Sequence, residues 1–425
     1  MRRLAVLAVL VLVAAPATAQ SGRTCPVTVQ NLFVREVMRD LYLWSDTLPE
    51  VDPRRFPSPE AYLEAIRHRP LDDRFSYIAS AAATDAFYDD SQFIGYGFST
   101  AVSNGELVVL QVFPESPAAE AGLSRGDRVV EIDGQPVSAL IADGLIDGAF
   151  GPPEAGVSSE LVVRTRAGGT SRQRLEKRLV TIPTVSLTRV LDVDGRRVGY
   201  LFFRNFVRPS VAALDEAFRS LAEAGVSELV LDLRYNGGGL VEVATHLAGL
   251  IGGPLTEGQP FARYAHNPRN VSRDRTLRFA AAGPGVPRLS RLIAITTRAS
   301  ASASELVLNG LRPFLPVVII GAPTYGKPVG QYLLEFCDKV LAPVSFSMRN
   351  ANDQGDYFDG LPPTCAAPDD ATRDLGDPAE ASLAEALHYI RHDACSTTTA
   401  GLARLHGVAA TPPRATGWQS VVNAH

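Results

Sequence analysis

The chain contains no Cys-x-x-Cys pair, no His-Glu-x-x-His and no Gly-x-Ser-x-Gly. These absences remove the common zinc and thiol-redox spacings, the metalloprotease helix and the strained serine elbow of α/β hydrolases. The seven histidines fall in no recognisable motif. No strong basic patch and no long like-charge run is present: 41 basic residues face 46 acidic ones, for a formal net charge of −5. That balance argues against nucleic acid as a partner and against a charged tail. Beyond the N-terminus no stretch is long and apolar enough for a span of about 20 residues. Nothing calls for a metal or other cofactor.

What remains is a globular composition, 46% hydrophobic and 20% charged over 425 residues, enough for two or three domains with substantial cores. Met1-Arg2-Arg3 followed by the apolar run Leu4 to Ala15 and by Ala17-Thr18-Ala19 reads as a signal peptide over 1–19. No cysteine follows the cleavage pattern, which argues against a lipoprotein. The mature chain is therefore expected to be exported, periplasmic or extracellular, with no membrane span. Export bears on the four cysteines, Cys25, Cys337, Cys365 and Cys395, which are expected to form two disulfides. Three pairings are open. The local loop favours Cys337 with Cys365, which leaves Cys25 with Cys395.

Residues 20–90 read as helical. Leu32, Phe33, Val37, Leu41 and Trp44 recur at helical spacing, and Pro57-Ser-Pro-Glu60 opens a second helix with Tyr62, Leu63 and Ile66 on one face. From 91 to 180 the pattern changes to short strands and glycine turns. Phe93 to Ser99, the strand 107–113, the short helix 118–122, the turn Gly126-Asp127 and the strand 129–132 resemble, in that order, a PDZ domain. Such domains hold a peptide carboxyl terminus on backbone N–H groups and add the peptide to a sheet edge. Gly95, Tyr96, Gly97 and Phe98 stand where the carboxylate-binding loop is expected. From 181 to 395 strands alternate with helices: strands at 198–203, 229–233, 292–297 and 317–320, helices at 211–224, 241–251, 304–311 and 377–391. That alternation predicts an α/β core with a largely parallel sheet. Residues 396–425 read as a loosely ordered tail.

Ligands of parallel sheets gather beyond the carboxyl ends of the strands. Three conspicuous loops fall there: Arg234 to Gly239, Arg298 to Ser302 and Gly321 to Lys327. The second is rich in serine and enters a helix, where N–H groups and the helix dipole favour a developing negative charge. The third ends in Lys327, and no histidine lies between it and the serines. A serine hydroxyl needs a base, and a lysine can serve if burial lowers its pKa from about 10.4. Ser300, Ser302 and Ser304 stay equivalent on this argument. Gly321 to Lys327 also matches most of a phosphate-binding loop, but Pro328 supplies neither the hydroxyl nor the N–H that such a loop needs, and a strand rather than a helix is expected next.

Together, Ser-Ala-Ser-Ala-Ser-Glu over 300–305, Thr-Tyr-Gly-Lys over 324–327 and Asp-Leu-Arg-Tyr-Asn-Gly-Gly-Gly over 232–239 resemble the carboxy-terminal processing, or tail-specific, proteases of serine–lysine type. The resemblance covers about residues 30–390. It implies Ser302 as nucleophile, Lys327 as base, Gln331 as the residue that orients the base, and the N–H groups of Gly238 and Ala303 as oxyanion hole. Asp232, Arg234 and Glu305 match its supporting positions. Two departures stand out. Tyr325 replaces a phenylalanine, and Pro328-Val-Gly330 replaces a Gly-x-Val run, which bears on where Gln331 lies. The segment 337–365, flanked by cysteines, also differs. The implied activity is ATP-independent hydrolysis of peptide bonds near protein C-termini, on substrates with free apolar ends. The alternative is a catalytically silent PDZ-containing binding protein on the same scaffold.

Overall fold

The computed structural model describes residues 25–281 and 286–396. The leader expected over 1–19 and all but the first residue of the tail expected over 396–425 lie outside them.

The N-terminal part contributes helices Val27–Leu41, Pro59–Ile66 and Ala81–Asp90. Ser58 accepts a hydrogen bond from the Ala61 N–H and Pro59 fills the first helical position, where its missing donor is harmless. The first helix buries Gln30, Asn31, Val34, Met38 and Leu41, a face turned by about one residue from the expected stripe. Asn31 is the reason. Its side chain donates to the carbonyls of Pro53 (2.8 Å) and Phe56 (3.1 Å), so a polar residue occupies the buried line. Phe33 instead stacks on Phe336 of the core, with ring centroids 4.7 Å apart. The region is not purely helical. Its strand Tyr77–Ser80 pairs antiparallel with Lys339–Ala342.

The PDZ-like part orders its strands as Phe98–Ser103, Glu106–Val112, Arg128–Ile132, Ser158–Arg164 and Thr170–Glu176, with short helices Pro117–Glu120 and Val137–Ala142. Phe98, Val109, Ile132 and Leu161 alternate into its own core. Ala101, Val108 and Leu110 belong instead to a cluster shared with Tyr200, Phe202 and Tyr235, so this part is packed on the α/β core.

The core sheet runs Val185–Val193, Arg196–Phe203, Glu228–Asp232, Leu292–Thr296, Val317–Gly321, Cys365–Ala366, parallel throughout except for the first hairpin. Glu228–Asp232 and Leu292–Thr296 are buried at every residue, which is why Leu229 to Leu231 and Leu292 to Ile295 read as unbroken apolar runs. Helices Ser210–Glu223, Val241–Gly252 and Ala303–Leu311 pack into one cluster and Ala381–His392 into another, against opposite faces. That last helix starts four residues later than the sequence pattern suggests, because Glu380 caps it through the Leu383 N–H (3.0 Å). The single strand expected after Pro328 is split. Val329–Gln331 joins an antiparallel sheet beside Val344–Arg349, while Leu334–Phe336 pairs with Lys339–Ala342.

Both disulfides differ from the expected pairing: they join Cys25 to Cys337 and Cys365 to Cys395. Proximity along the chain misled. Cys337 caps the hairpin that packs under the first helix, which brings it to Cys25. Cys365 lies in the edge strand of the core sheet, and the final helix, packed on that sheet, returns Cys395 to it. Among the described residues no helix is long and apolar enough to cross a membrane.

Candidate active site

The three loops converge at the carboxyl ends of neighbouring parallel strands. Ser300 and Ser304 are spent on structure. The Ser300 hydroxyl donates to the Leu233 carbonyl (2.8 Å) and accepts from the Thr297 N–H (3.0 Å), and the Ser304 hydroxyl donates to the Asn236 carbonyl (2.8 Å). Both are wholly buried, whereas Ser302 between them is partly exposed. Ser302 is the N-cap of Ala303–Leu311 and adopts φ 54°, ψ −111°, a strained conformation for a residue with a side chain. Ala303 opens the helix, so its N–H has no intrahelical acceptor.

Gly238 comes up against this turn. With φ 102°, a Cβ there would stand 2.8 Å from Ser302 Cβ and 2.9 Å from the Ala303 nitrogen, so only glycine allows the approach. Its N–H donates to Asn236 Oδ1 (2.9 Å). Gly238 and Ala303 are thus adjacent to Ser302, but the Gly238 donor is engaged within its own loop.

Glu305 joins the serine and lysine loops. Oε2 accepts from the backbone N–H of both Ser302 (2.8 Å) and Lys327 (2.9 Å), and Oε1 from the Gly326 N–H (2.7 Å) and the Thr324 hydroxyl. Burial raises its pKa above the ordinary carboxylate value, and these donors oppose the shift. A further strap comes from the segment that departs from the family pattern. Leu361 exchanges hydrogen bonds with Thr324, and a Cβ on Gly326 would meet the Phe358 carbonyl at 2.1 Å.

The Lys327 amine donates to Gln331 Oε1, and Gln331 Nε2 donates to the carbonyls of Phe75 (2.7 Å) and Ala342 (2.7 Å). Pro328-Val-Gly330 therefore leaves Gln331 within reach of the lysine. Part of Lys327 reaches solvent, but its amine is enclosed, and burial lowers its pKa to about 8 against the opposing charges of Asp72 and Glu305. A lysine in this state is partly neutral at mildly alkaline pH and can accept a proton.

Asp232 and Arg234 lie at the end of the neighbouring strand. Arg234 is unexposed and binds Asp232 (2.9 Å), Asp369 (2.9 Å) and Glu380 (2.8 Å), and Asp232 also accepts from the Tyr200 hydroxyl (2.7 Å). Arg125 of the PDZ-like part reaches Asp369 (2.8 Å) and the Tyr235 hydroxyl (2.7 Å). This network fixes the loop that carries Gly238 and ties it to the neighbouring domain. The sequence offered no signal for Asp369, Glu380 or Arg125, all remote from the loop along the chain.

Within the PDZ-like part, Tyr96 and Phe98 are unexposed, and both rings pack on Phe150. Gly97 is pressed on Ser116, where a Cβ would meet Ser116 Cβ at 2.0 Å. The strand Phe98–Ser103 is the first in its sheet order and forms one edge.

Residues 197–366 match peptidase family S41, residues 29–77 match the peptidase S41 N-terminal domain, and residues 108–149 match a PDZ domain. The chain is 28% identical over 247 residues to a C-terminal processing peptidase, chloroplastic, of Tetradesmus obliquus, covering 56% of this chain and 51% of that protein. It is 26% identical over 280 residues to the carboxy-terminal processing protease CtpB of Bacillus subtilis, covering 63% of this chain and 54% of that protein. The matches span about half the length of these relatives. A crystal structure assigned to the S41 proteases, from Bacteroides fragilis, superposes with TM-score 0.68 at 26% identity, over 84% of this chain and 97% of the other.

Proposed function

The chain belongs to peptidase family S41, and from that premise we propose that it is a serine endopeptidase with Ser302 as nucleophile and Lys327 as base. Neutral Lys327 takes the Ser302 proton as the hydroxyl attacks the scissile carbonyl. The tetrahedral oxyanion is held by the Ala303 N–H, with the Gly238 N–H joining once Asn236 releases it. Lys327 then gives its proton to the leaving amine. A water, deprotonated by the same lysine, frees the acyl-enzyme. The observation that carries this proposal is the pairing of the Lys327 amine with Gln331, one loop away from the serine whose two neighbours have their hydroxyls committed to loop carbonyls. An observation on the side of a catalytically silent binding protein is the occupied Gly238 donor. Export is part of the proposal, and two disulfides suit an oxidising compartment.

A pH profile tests it. Protonated Lys327 cannot accept a proton, so peptide hydrolysis rises with pH through about 8, tenfold per unit well below that value. A rate that stays flat from pH 6 to 10 with chemistry rate-limiting excludes a lysine base.

We also assign the PDZ-like part to capture of substrate C-termini. The edge strand Phe98–Ser103 can accept a peptide strand, and Gly95 to Phe98 would meet its carboxylate. Substrates ending in a free carboxylate after small or apolar residues are preferred. Amidation of that end removes a charge-assisted hydrogen bond of about 1.5–3 kcal/mol, or roughly ten- to a hundredfold in apparent affinity. Equal cleavage of acid and amide peptides below saturation would remove the tail-specific assignment and leave the peptidase assignment standing.

A further inference from the structure

Resting on the serine–lysine assignment, we propose that Asp72 of the N-terminal region is a positioning residue of the active site, whose carboxylate fixes the loop that anchors Gln331 beside Lys327. Asp72 is unexposed. Its Oδ1 accepts from the N–H groups of Phe75 (3.0 Å) and Ser76 (2.8 Å), and its Oδ2 from the hydroxyls of Tyr42 (2.8 Å) and Ser76 (2.6 Å). The segment so held presents the Phe75 carbonyl to Gln331 Nε2 and the Phe75 ring to the Lys327 amine, 6.0 Å from its centroid. Ser76 continues the contact by accepting from the Val344 N–H (3.0 Å), beside the strand that carries Gln331. The path from carboxylate to base is therefore Asp72, Phe75, Gln331, Lys327, with no gap longer than a hydrogen bond.

The charge has a second effect. Burial alone would lower the Lys327 pKa further; Asp72 and Glu305 hold it up. Other charged or titratable groups on the packed elements include Arg67, which donates to the Ser76 carbonyl (3.2 Å) and pairs with Glu64, His68, whose backbone N–H donates to the Tyr42 hydroxyl (2.9 Å), Lys339, paired with Glu60, Asp73 and Arg74, which approach each other at 3.8 Å, and Arg298, which donates to the carbonyls of Thr324 (3.1 Å) and Asp359 (3.0 Å). Tyr42 and Tyr325 stay neutral, since burial raises the pKa of both. Asp72 is the acid among these that also organises the Gln331 anchor.

The test is Asp72→Asn in the full chain, read by the rate at which a fluorophosphonate phosphonylates Ser302, with loss of fluoride, across pH 5 to 10. Loss of the negative charge moves the rising limb to lower pH by about one unit. Looser anchoring of Gln331 lowers the plateau rate by about threefold or more. A folded variant with both limb and plateau unchanged overturns the proposal. A structural role alone would lower the amount of active enzyme and leave the limb in place, which also overturns it. If Asp72→Asn does not fold, Tyr42→Phe and Ser76→Ala each remove one donor and keep the charge. Both then lower the plateau and leave the limb unmoved, and unchanged plateaus in both overturn the proposal. Wild-type protein with no reactive Ser302 and no limb sinks the serine–lysine assignment itself, a result distinct from an unmoved limb in the variant.

Discussion

Ser302→Ala and Lys327→Ala each lower peptide hydrolysis by at least about 10⁴-fold, and the double variant is at most a few-fold worse than either. Non-additivity follows because attack and proton removal are one event: without the base the hydroxyl stays protonated, and without the hydroxyl the base has nothing to activate. The melting temperature should change little in Ser302→Ala, since that side chain is partly exposed and its neighbours carry the loop. Ser300→Ala and Ser304→Ala behave differently. Each removes one of two donors to a buried loop carbonyl, since Leu233 keeps the Asn236 N–H and Asn236 keeps the Ala301 N–H, and Ser300→Ala also leaves the Thr297 N–H without its hydroxyl acceptor, at a cost of about 0.5–1.5 kcal/mol in stability. Steady-state rates beside thermal melts separate the two classes. Activity retained in Ser302→Ala but lost in folded Ser300→Ala or Ser304→Ala would show that the nucleophile is another serine.

The largest stability effect is expected at Arg234. Arg234→Ala strips the cation from three buried carboxylates, Asp232, Asp369 and Glu380, and only Asp369 keeps a guanidinium, that of Arg125. Uncompensated buried charge costs about 3–5 kcal/mol. Lysine does not repair the site, because one ammonium cannot reproduce the bidentate contact to Glu380 together with the Nε bond to Asp232. The sign with pH follows. Burial already raises the Asp232 pKa and Arg234 opposes the shift, so in the variant it lies further above the unfolded value, the folded state gains a proton and the deficit against wild type shrinks as pH falls. Denaturant midpoints at pH 7.5 and pH 5 measure this. An unchanged midpoint at pH 7.5 would mean that the carboxylates relax to solvent. Activity should fall as well, because the same loop carries Gly238.

Much of the chain declares itself locally. Leu229 to Leu231 and Leu292 to Ile295 are unbroken apolar runs because both faces of their strands are covered, and the following glycine- and serine-rich stretches end the strands where a site can form. The helix Ser210–Glu223 shows its period and ends before Gly225, at φ 70°. Residues 300–305 and 324–327 place serines and a lysine within short motifs, so the candidate loops and the α/β class were legible. The face of the first helix was not, because Asn31 is polar in sequence and buried in fact, its Nδ2 held by carbonyls 22 and 25 residues away.

The amino-acid sequence by itself determined which strands would be buried, where the loops would fall and which residue types could carry acyl transfer. Tertiary structure decided which serine hydroxyls are committed, since those of Ser300 and Ser304 meet carbonyls 67 and 68 residues distant. It also decided the disulfide partners, the three carboxylates around Arg234 and the meeting of Gln331 with the Phe75 carbonyl, 256 positions away. The physical reason is one of range. Periodicity and motif report the φ/ψ preferences and burial of neighbours along the chain, whereas a hydrogen bond or disulfide needs two groups within a few ångströms in space. Which remote groups meet is set by how whole elements pack, here a hairpin under the first helix and a final helix against the core sheet, and that packing is a property of the entire chain.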